Sequence, residues 1–267
     1  MCGRYVITSP PEVLRALFGY PEQPNFPPRY NVAPTQPVPV VRFSEGRRQF
    51  ALVRWGLIPS WVKDPRGFTL LINARGESAA EKPAFRAAMK RRRCLVPADG
   101  FYEWRRIGLA RPGDDRDASR RQPARTVAAK QPFFIHARDS RPLAFAGIWE
   151  TWTGPDGEEM ETAAIVTTAA NRTLQPIHDR MPVIVPPAAF DLWLDPNVDA
   201  DAASAVIAPA PDDLLEAYEI STAVNRTVND SADLIARLAP GAEAPPSPDG
   251  KTPKPARKKD DRQASLF

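Results

Sequence analysis

Cysteine and histidine are scarce in this chain of 267 residues. Its two cysteines are Cys2 and Cys94, and its two histidines are His136 and His178. Two thiols are too few for a disulfide scaffold, and the absence of a C-x-x-C pair argues against a structural zinc site. We therefore expect both cysteines to be free thiols, and we expect no metal and no other cofactor.

Long apolar runs are missing as well. No stretch approaches the roughly 20 apolar residues that span a bilayer, and the start Met1-Cys-Gly-Arg-Tyr5 is not followed by the apolar segment of a signal peptide. We expect a cytoplasmic protein, associated with the nucleoid or the replication fork, with no membrane contact. Hydrophobic residues make up 43% of the chain, which is enough for a sizeable core.

The charge balance is mildly basic, with a formal net charge of +4. Part of the excess lies in the Lys/Arg-rich segments 86–93, 105–125 and 251–262. This balance is compatible with a polyanionic partner such as nucleic acid, but tails and loops also carry such charge without binding anything. Charge alone therefore does not decide the partner.

Helix signals are few and local. Ser9 is a predicted N-cap before an apolar-periodic run that Gly19 should end, and Ser78 is a predicted N-cap of a second helix that runs to about Arg92. Shorter helices are predicted near 187–194, 212–218 and 231–238.

Strand patterns dominate the rest of the chain. They predict strands at 38–43, 50–58, 94–97, 101–105, 132–137, 143–151, 161–168 and 182–185. Strand runs with few helices between them favour an α+β fold with a barrel-like antiparallel or mixed β core and peripheral helices. We expect one domain over residues 1–239, with a flexible insertion at 106–130, and a disordered tail at 240–267.

The position of Cys2 is the most informative feature. Initiator methionine is usually removed before a residue as small as cysteine, which would leave a free α-amine beside a thiol; such an amine has a pKa of about 7.7–8.0. A 1,2-aminothiol reacts with an aldehyde to give a Schiff base and then a five-membered thiazolidine. Two alternatives stay open: Cys2 is an ordinary small residue, or its thiol attacks an amide as an N-terminal nucleophile.

Three polar residues stand out within apolar segments. Asn73 follows a strand-like run and could orient the Cys2 amine or thiol, or else satisfy backbone groups at a strand end. Glu103 lies between two aromatic residues, which suits a general acid, unless it faces solvent on an alternating strand. His178 could move a proton or stabilise an alkoxide, although a lone histidine is more often structural. His136 and Cys94 are expected to be structural.

Cationic and aromatic residues lie near these candidates. Arg4, Arg75 and Arg180 each lie within two residues of one of them, where guanidinium groups would suit phosphates that flank a reacting sugar. Trp61 and Trp104 could stack on the bases of an unpaired strand or pack in the core.

Taken together, these segments resemble the SRAP family, the SOS-response-associated peptidase domain that is also called the abasic-site processing proteins. The matching segments occur in family order and span residues 2 to about 238. They are Met1-Cys-Gly-Arg-Tyr5, Arg29-Tyr-Asn-Val-Ala-Pro-Thr-Gln36, Arg54-Trp-Gly-Leu-Ile-Pro-Ser-Trp61, Ile72-Asn-Ala-Arg-x-Glu77, Cys94-Leu-Val-Pro-Ala-Asp-Gly-Phe-Tyr-Glu-Trp104, Ala146-Gly-Ile-Trp149, Ile177-His-Asp-Arg-Met-Pro182 and, more weakly, Val224-Asn-Arg-Thr-Val-Asn-Asp230.

The resemblance implies a chemistry for the four candidate catalytic residues. Cys2 would form a thiazolidine link to a ring-opened abasic deoxyribose in single-stranded DNA, and Asn73 would position the Cys2 end. Glu103 and His178 would handle protons during ring opening, cross-linking and reversal. The family name also implies a self-processing peptidase activity that removes Met1, and the Schiff base implies a possible lyase activity at abasic sites.

The resemblance also implies how DNA is held. Arg4, Arg75 and Arg180 would bind phosphates, and Trp61, Trp104 and Pro34 would stack on bases or wedge between them. The family fold has a barrel-like β core, in agreement with the strand pattern. The insertion at 106–130 is longer than the tight turn expected of the family, which affects the expected shape of the groove near Trp104.

The last residues carry a separate signal. Gln263, Leu266 and Phe267 form a Gln-x-x-Leu-Phe pattern that resembles the peptide by which bacterial repair proteins bind the replication sliding clamp. For the whole protein three function classes remain: an enzyme that cross-links to abasic sites, an N-terminal-nucleophile peptidase or amidase, and a non-catalytic single-strand binding module.

Overall fold

The computed structural model describes residues 2–107 and 129–239. Its strands are β1 (Tyr5–Ile7), β2 (Arg29–Val32), β3 (Pro37–Ser44), β4 (Arg47–Trp55), β5 (Asn73–Arg75), β6 (Arg93–Ala98), β7 (Gly100–Ile107), β8 (Ala129–Ala137), β9 (Leu143–Thr153), β10 (Glu159–Ala169), β11 (Arg180–Pro182) and β12 (Leu215–Glu219). Its α-helices are α1 (Pro11–Phe18), α2 (Gly76–Ala79), α3 (Arg86–Arg91), α4 (Phe190–Leu194) and α5 (Ala200–Ser204). Short 3-10 helices lie at Pro65–Gly67, Pro187–Ala189, Thr222–Asn225 and Ala232–Ile235.

Five strands close into a barrel. The order is β10, β4, β3, β6 and β9, and β9 pairs back onto β10. Pairing is antiparallel except that β10 runs parallel to β4 and to β5, so the sheet is mixed. Closure removes the exposed edges that an open sheet would present. The predicted α+β fold with a barrel-like mixed core is confirmed.

A second sheet carries the N-terminal strand. Its order is β12, β8, β7, β1 and β2, with antiparallel pairing throughout. Tyr5 of β1 pairs with Phe101 of β7, and the backbone N–H of Tyr102 donates to the Arg4 carbonyl at 3.0 Å. This pairing brings the N-terminal segment alongside the strand that carries Glu103.

A two-residue turn joins β3 and β4. Glu45 and Gly46 both have positive φ, 53° and 75°, between the paired residues Ser44 and Arg47. Two central residues of positive φ match the right-handed twist of the flanking strands. Glycine at the second position adopts this conformation at little cost.

The predicted helix from Ser78 to Arg92 is wrong. The segment forms two short helices, α2 and α3, and Ser78 lies inside α2 instead of capping it. Pro83 lies between them. Proline has no N–H for a helical hydrogen bond and disfavours the helical conformation of the residue before it, so a continuous helix cannot form there.

Two predictions toward the C-terminal side are also corrected. Residues 212–218 were predicted as a helix, but Leu215–Glu219 form strand β12, which pairs with β8. Local helix propensity is outweighed there by pairing at the edge of the second sheet. Of the helix predicted at 231–238, the 3-10 turn Ala232–Ile235 forms.

Other boundaries differ in smaller ways. Ser9 does not cap α1, because its hydroxyl and backbone N–H both bond the Asp99 carboxylate and Pro10 takes the cap position. Gly19 ends α1 as predicted, with φ 72°. Strands β7 and β8 extend into the insertion predicted at 106–130. Its remainder, 108–128, and the predicted tail, 240–267, lie outside the described residues.

Arg93 is a buried residue that hydrogen-bonds to the ends of α3 and α4 and to the loop after α4. It is 2% exposed, and its guanidinium donates to five backbone carbonyls at 2.5–3.1 Å. These are the carbonyls of Met89 and Lys90 in the last turn of α3, of Trp193 in the last turn of α4, and of Asp195 and Val198 after α4. The carbonyls at a helix end lack intrahelical partners, and a cation there is favourable. Arg93 thus replaces water as the partner of these carbonyls.

We expect Arg93→Ala to lower the free energy of unfolding by about 3 kcal/mol, because several buried carbonyls lose their donor at once. Urea unfolding followed by circular dichroism measures the change. Arg91→Ala, which removes the exposed arginine at the end of α3 two residues earlier, is the matched control and should cost less than about 0.5 kcal/mol. Equal losses for the two variants would contradict the assigned role of Arg93.

Candidate active site

Cys2 lies at the centre of the candidate site and is fully buried. Its Sγ lies 3.9 Å from the Arg4 carbonyl, a weak S–H contact. Burial raises the pKa of the Cys2 thiol, and the nearby Glu103 charge raises it further. At neutral pH the thiol is therefore protonated, and it needs a base before it can act as a nucleophile.

Asn73 connects the N-terminal segment to the barrel. It begins β5, which pairs in parallel with β10, and its Nδ2 donates to the Cys2 carbonyl at 2.9 Å. The bond goes to the backbone of Cys2 and not to its amine or thiol, which differs in detail from the sequence-based expectation. Asn73 Oδ1 is buried and has no hydrogen-bond partner among the described residues.

Glu103 and His178 lie next to each other beside Cys2. Glu103 is 3% exposed on β7, and its Oε2 lies 4.0 Å from Nε2 of His178. The alternative of an outward-facing glutamate does not hold. His178 belongs to the loop between β10 and β11, so the second sheet and the barrel each supply one of the two groups.

Nδ1 of His178 has a hydrogen-bond partner whether the ring is neutral or protonated. Nδ1 accepts from the Arg180 backbone N–H at 3.0 Å and lies 2.9 Å from Oδ1 of Asp179. A neutral ring that accepts from Arg180 carries its proton on Nε2, toward Glu103. A protonated ring can donate from Nδ1 to the Asp179 carboxylate. This geometry suits a residue that takes up and releases a proton.

Arg4 is bonded within the protein. Its Nη1 donates to Asn31 Oδ1 and to the Val224 carbonyl, both at 2.9 Å, and its Nη2 donates to the Asn225 carbonyl at 3.4 Å. Burial lowers the pKa of Arg4. Its guanidinium thus holds residues 224–225 against the N-terminal segment, and a phosphate would have to share it.

Arg75 and Arg180 differ in their surroundings. Arg75 is exposed at the end of β5, and within the described ranges its side chain makes no hydrogen bond and no ion pair. The Arg180 side chain is 13% exposed and donates to both carboxylate oxygens of Glu77, at 2.6 and 2.8 Å, and to the Thr167 carbonyl. Arg75 is therefore the more available phosphate ligand of the two.

The predicted stacking residues are exposed to different degrees. Trp61 is 58% exposed and packs edge-on against Phe68, with ring centroids 5.8 Å apart. Trp104 is half-buried, and its Nε1 donates to Asn225 Oδ1 at 2.7 Å. Pro34 is half-buried in the turn between β2 and β3, before Thr35 with φ 73°. Of the three, Trp61 presents the most open aromatic surface.

Several residues that shape the site were not predicted from the sequence. Asn31 is fully buried and its Nδ2 lies within 3.2 Å of the carbonyls of Val224, Arg226 and Asn229, while Asp230 accepts from the backbone N–H groups of β2. Both residues belong to segments that carry the family resemblance, Asn31 to residues 29–36 and Asp230 to residues 224–230. Their presence in these segments was the available signal.

Other predictions concern absences or undescribed residues. In residues 2–107 and 129–239 no three His, Cys, Asp or Glu side chains are grouped as metal ligands. Among the helices described there, none is long and apolar enough to cross a bilayer. The clamp-binding residues Gln263, Leu266 and Phe267 lie outside the described part of the chain.

Comparison with known proteins places the chain in a family. The family model of the SOS response associated peptidase (SRAP) matches residues 1–227. The chain is 36% identical over 239 residues to the abasic site processing protein YoqW of Bacillus subtilis, covering 88% of this chain and 99% of the relative. It is 32% identical over 243 residues to the abasic site processing protein YedK of Escherichia coli, with coverages of 88% and 99%.

More distant relatives extend the likeness. The abasic site processing protein HMCES of Xenopus tropicalis is 30% identical over 275 residues, which cover 89% of this chain and 78% of the relative. A crystal structure of a protein from Bacteroides thetaiotaomicron superposes with a TM-score of 0.74 at 26% identity, covering 89% of this chain and all of that one.

We expect the folded chain that still carries Met1 to resist thiol alkylation at pH 8. Cys2 and Cys94 are both fully buried, and burial raises the pKa of both thiols. Iodoacetamide should modify each at least about tenfold more slowly than in guanidinium chloride, because little thiolate is present and access is blocked. Peptide mapping by mass spectrometry reads the two sites separately. Modification of native Cys2 at the denatured rate would contradict the buried position.

Proposed function

The chain belongs to the SOS response associated peptidase (SRAP) family, and from that premise we propose that it processes abasic sites in single-stranded DNA. In this proposal the mature N-terminal Cys2 links covalently to the aldehyde of the abasic sugar. The observation that carries the proposal is that Asn73 and Glu103 adjoin the buried Cys2, and that the partly exposed His178 adjoins Glu103. Relatives named abasic site processing proteins support the substrate class.

The proposed reaction joins two nucleophiles of one residue to one carbon. After removal of Met1, the neutral amine of Cys2 adds to C1′ of the ring-opened sugar, and the carbinolamine loses water to form a Schiff base. The Cys2 sulfur then adds to the imine carbon, and the thiol proton moves to the nitrogen. The products are a thiazolidine and one water molecule, and no oxidant or reductant is needed. Because both nucleophiles are on one residue, ring closure is intramolecular.

Glu103 and His178 are proposed to move the protons of these steps. The carbinolamine needs an acid to release water, and the buried thiol needs a base to become a nucleophile. Glu103 is close enough to Cys2 for its charge to affect the thiol, and Nε2 of His178 lies 4.0 Å from Glu103 Oε2. His178 is partly exposed, so it can exchange protons with solvent on behalf of the buried carboxylate.

The DNA-binding role is assigned to the exposed cation and aromatic surface around this centre. Arg75 is the proposed primary phosphate ligand, and Trp61 the proposed platform for an unpaired base. Four further residues are proposed to border the DNA strand: Arg4, Arg180, Trp104 and Pro34. The guanidinium groups of Arg4 and Arg180 and the indole N–H of Trp104 are already bonded to protein groups. A polyanion-binding surface also agrees with the net charge of +4.

Finer activities are part of the proposal. Self-processing would remove Met1, and the Schiff base could undergo β-elimination and cut the strand unless sulfur captures it first. The alternative function is that of an N-terminal-nucleophile peptidase or amidase, in which Cys2 attacks an amide. Clamp binding through Gln263, Leu266 and Phe267, and with it a location at the replication fork, rests on the sequence pattern alone.

We expect a single-stranded oligonucleotide with one abasic site to give a protein–DNA band that survives heat and denaturant. The band should be absent with intact DNA and absent for Cys2→Ala, which keeps the amine but has no sulfur to close the ring. A denaturing gel with labelled oligonucleotide measures it.

Cys94→Ala is the matched control, since it removes the other buried thiol and should leave the band in place. Mass spectrometry of the adduct should find Cys2 as the first residue. A cross-linked chain that still carries Met1 would rule out the thiazolidine. Cleavage of a peptide substrate without any adduct would favour the peptidase alternative.

We expect Glu103→Gln to slow cross-link formation under single-turnover conditions by about 10²-fold, in the range found for general acid–base groups. Affinity for an intact oligonucleotide should change by less than about twofold, because the amide keeps the shape of the side chain. Rapid-quench gels and fluorescence anisotropy measure the two quantities.

Glu219→Gln removes a carboxylate that pairs with Arg105 on the same sheet, and its cross-linking rate should be close to that of the unchanged protein. If Glu103→Gln loses DNA binding and rate together, Glu103 is a structural residue and not a proton donor or acceptor.

A further inference from the structure

A carboxylate is bound to the guanidinium of Arg180 at the place where the family resemblance predicts a phosphate. Glu77 Oε1 and Oε2 lie 2.6 and 2.8 Å from Nη1 and Nη2 of Arg180. The paired N–H groups of arginine fit a carboxylate and a phosphate in the same two-pronged geometry. Glu77 therefore occupies the face of Arg180 that a DNA phosphate would use.

Arg180 is held in place, whereas Glu77 can leave. Nη2 of Arg180 also donates to the Thr167 carbonyl at 2.7 Å and lies 3.2 Å from Thr167 Oγ1. Its side chain is 13% exposed, against 50% for Glu77. A phosphate must therefore come to Arg180 and displace the glutamate, because the arginine is fixed to β10 and cannot swing outward.

Local packing puts Glu77 at this position. Gly76, the first residue of α2, lies so close to β10 that a Cβ would be 3.2 Å from the Thr167 carbonyl and 2.3 Å from Ile207 Cγ2. A glycine allows this approach, and the following residue then faces Arg180. The contact between Glu77 and Arg180 is thus set by the backbone and not by a chance meeting of two long side chains.

Charge at the mouth of the site depends on Glu77. The Arg180 hydrogen bonds lower the pKa of Glu77, and Arg75 also contributes, so the carboxylate is ionised at neutral pH. Its negative charge partly cancels the positive potential of Arg75 and Arg180, which face the expected path of the DNA backbone. Removing it would raise the positive potential there and free two N–H groups at once.

We propose that Glu77 competes with the DNA phosphate for Arg180 and so weakens the hold on intact single-stranded DNA. This inference rests on the proposed function. A DNA strand binds at Arg180 when its phosphate displaces Glu77. This displacement requires the other contacts of the strand, including the one at the reacting sugar, to hold it in place. Undamaged DNA lacks the covalent contact and is released.

The test compares two glutamates of one segment on intact oligonucleotide. Glu77→Gln should bind about three- to fivefold more tightly than the unchanged protein at ~50 mM salt, the range of one partly exposed ion pair. Glu81→Gln is the matched control, since Glu81 is exposed four residues further on and its replacement changes the net charge equally. Glu81→Gln should leave the affinity within about 1.5-fold.

A double-mutant comparison tests whether the gain depends on Arg180. With Arg180→Ala present, Glu77→Gln should give no further gain, because the phosphate has no guanidinium to reach. Fluorescence anisotropy measures affinity, Glu77→Ala serves as a second variant, and thermal unfolding confirms that each variant is folded. The slope of log affinity against log salt should steepen by about 0.7 for Glu77→Gln.

The outcomes separate the two proposals. Equal affinities for Glu77→Gln and the unchanged protein, equal gains for Glu77→Gln and Glu81→Gln, or a gain that persists without Arg180 would each overturn the competition while cross-linking to abasic sites remains. A chain that binds no intact strand in any variant and forms no adduct would remove the proposed function and this inference together.

Discussion

The hydrogen bond from Asn73 to the Cys2 carbonyl is the interaction on which the site depends. Cys2 precedes β1 of the second sheet, whereas Asn73 belongs to β5 at the side of the barrel. This bond links the segment before β1 of the second sheet to the barrel. Chain termini are ordered only when they are tied down. The bond uses the carbonyl of Cys2 and neither its nitrogen nor its sulfur.

The remaining parts of the site are held by buried polar side chains that bond to backbone groups. Asn31 holds the segment 224–229, Asp230 holds the edge of β2, and Asp99 bonds the backbone N–H groups of Thr8 and Ser9. Irregular segments next to an active site have backbone groups without sheet or helix partners. One carboxylate or amide that satisfies several of them fixes a loop more firmly than apolar contact alone.

The sequence predicted all five barrel strands, β3, β4, β6, β9 and β10, with differences at their ends. It singled out Cys2 by its position and Glu103 by its aromatic neighbours, and the structure buries both. It did not predict β12, whose residues favour a helix until β8 offers a pairing edge, nor the break at Pro83. The hydrogen-bond partners of the arginines could not be predicted from the sequence either. Which carbonyl or carboxylate faces a guanidinium is decided by contacts between residues far apart in the chain, as with Arg4 and Val224.

Burial of the Cys2 thiol bears on which chemistry the site can perform. An N-terminal-nucleophile peptidase attacks an amide with the Cys2 sulfur and uses the Cys2 amine as its base, so it needs removal of Met1 as much as cross-linking does. In the chain that carries Met1, burial and the Glu103 carboxylate both raise the pKa of the thiol, so the sulfur needs a proton acceptor in either reaction. In the proposed order the amine attacks first, and the sulfur meets an imine carbon already bonded to the same residue. That addition is intramolecular and needs a proton acceptor only at the moment of addition, so a buried, protonated thiol is compatible with ring closure on an aldehyde.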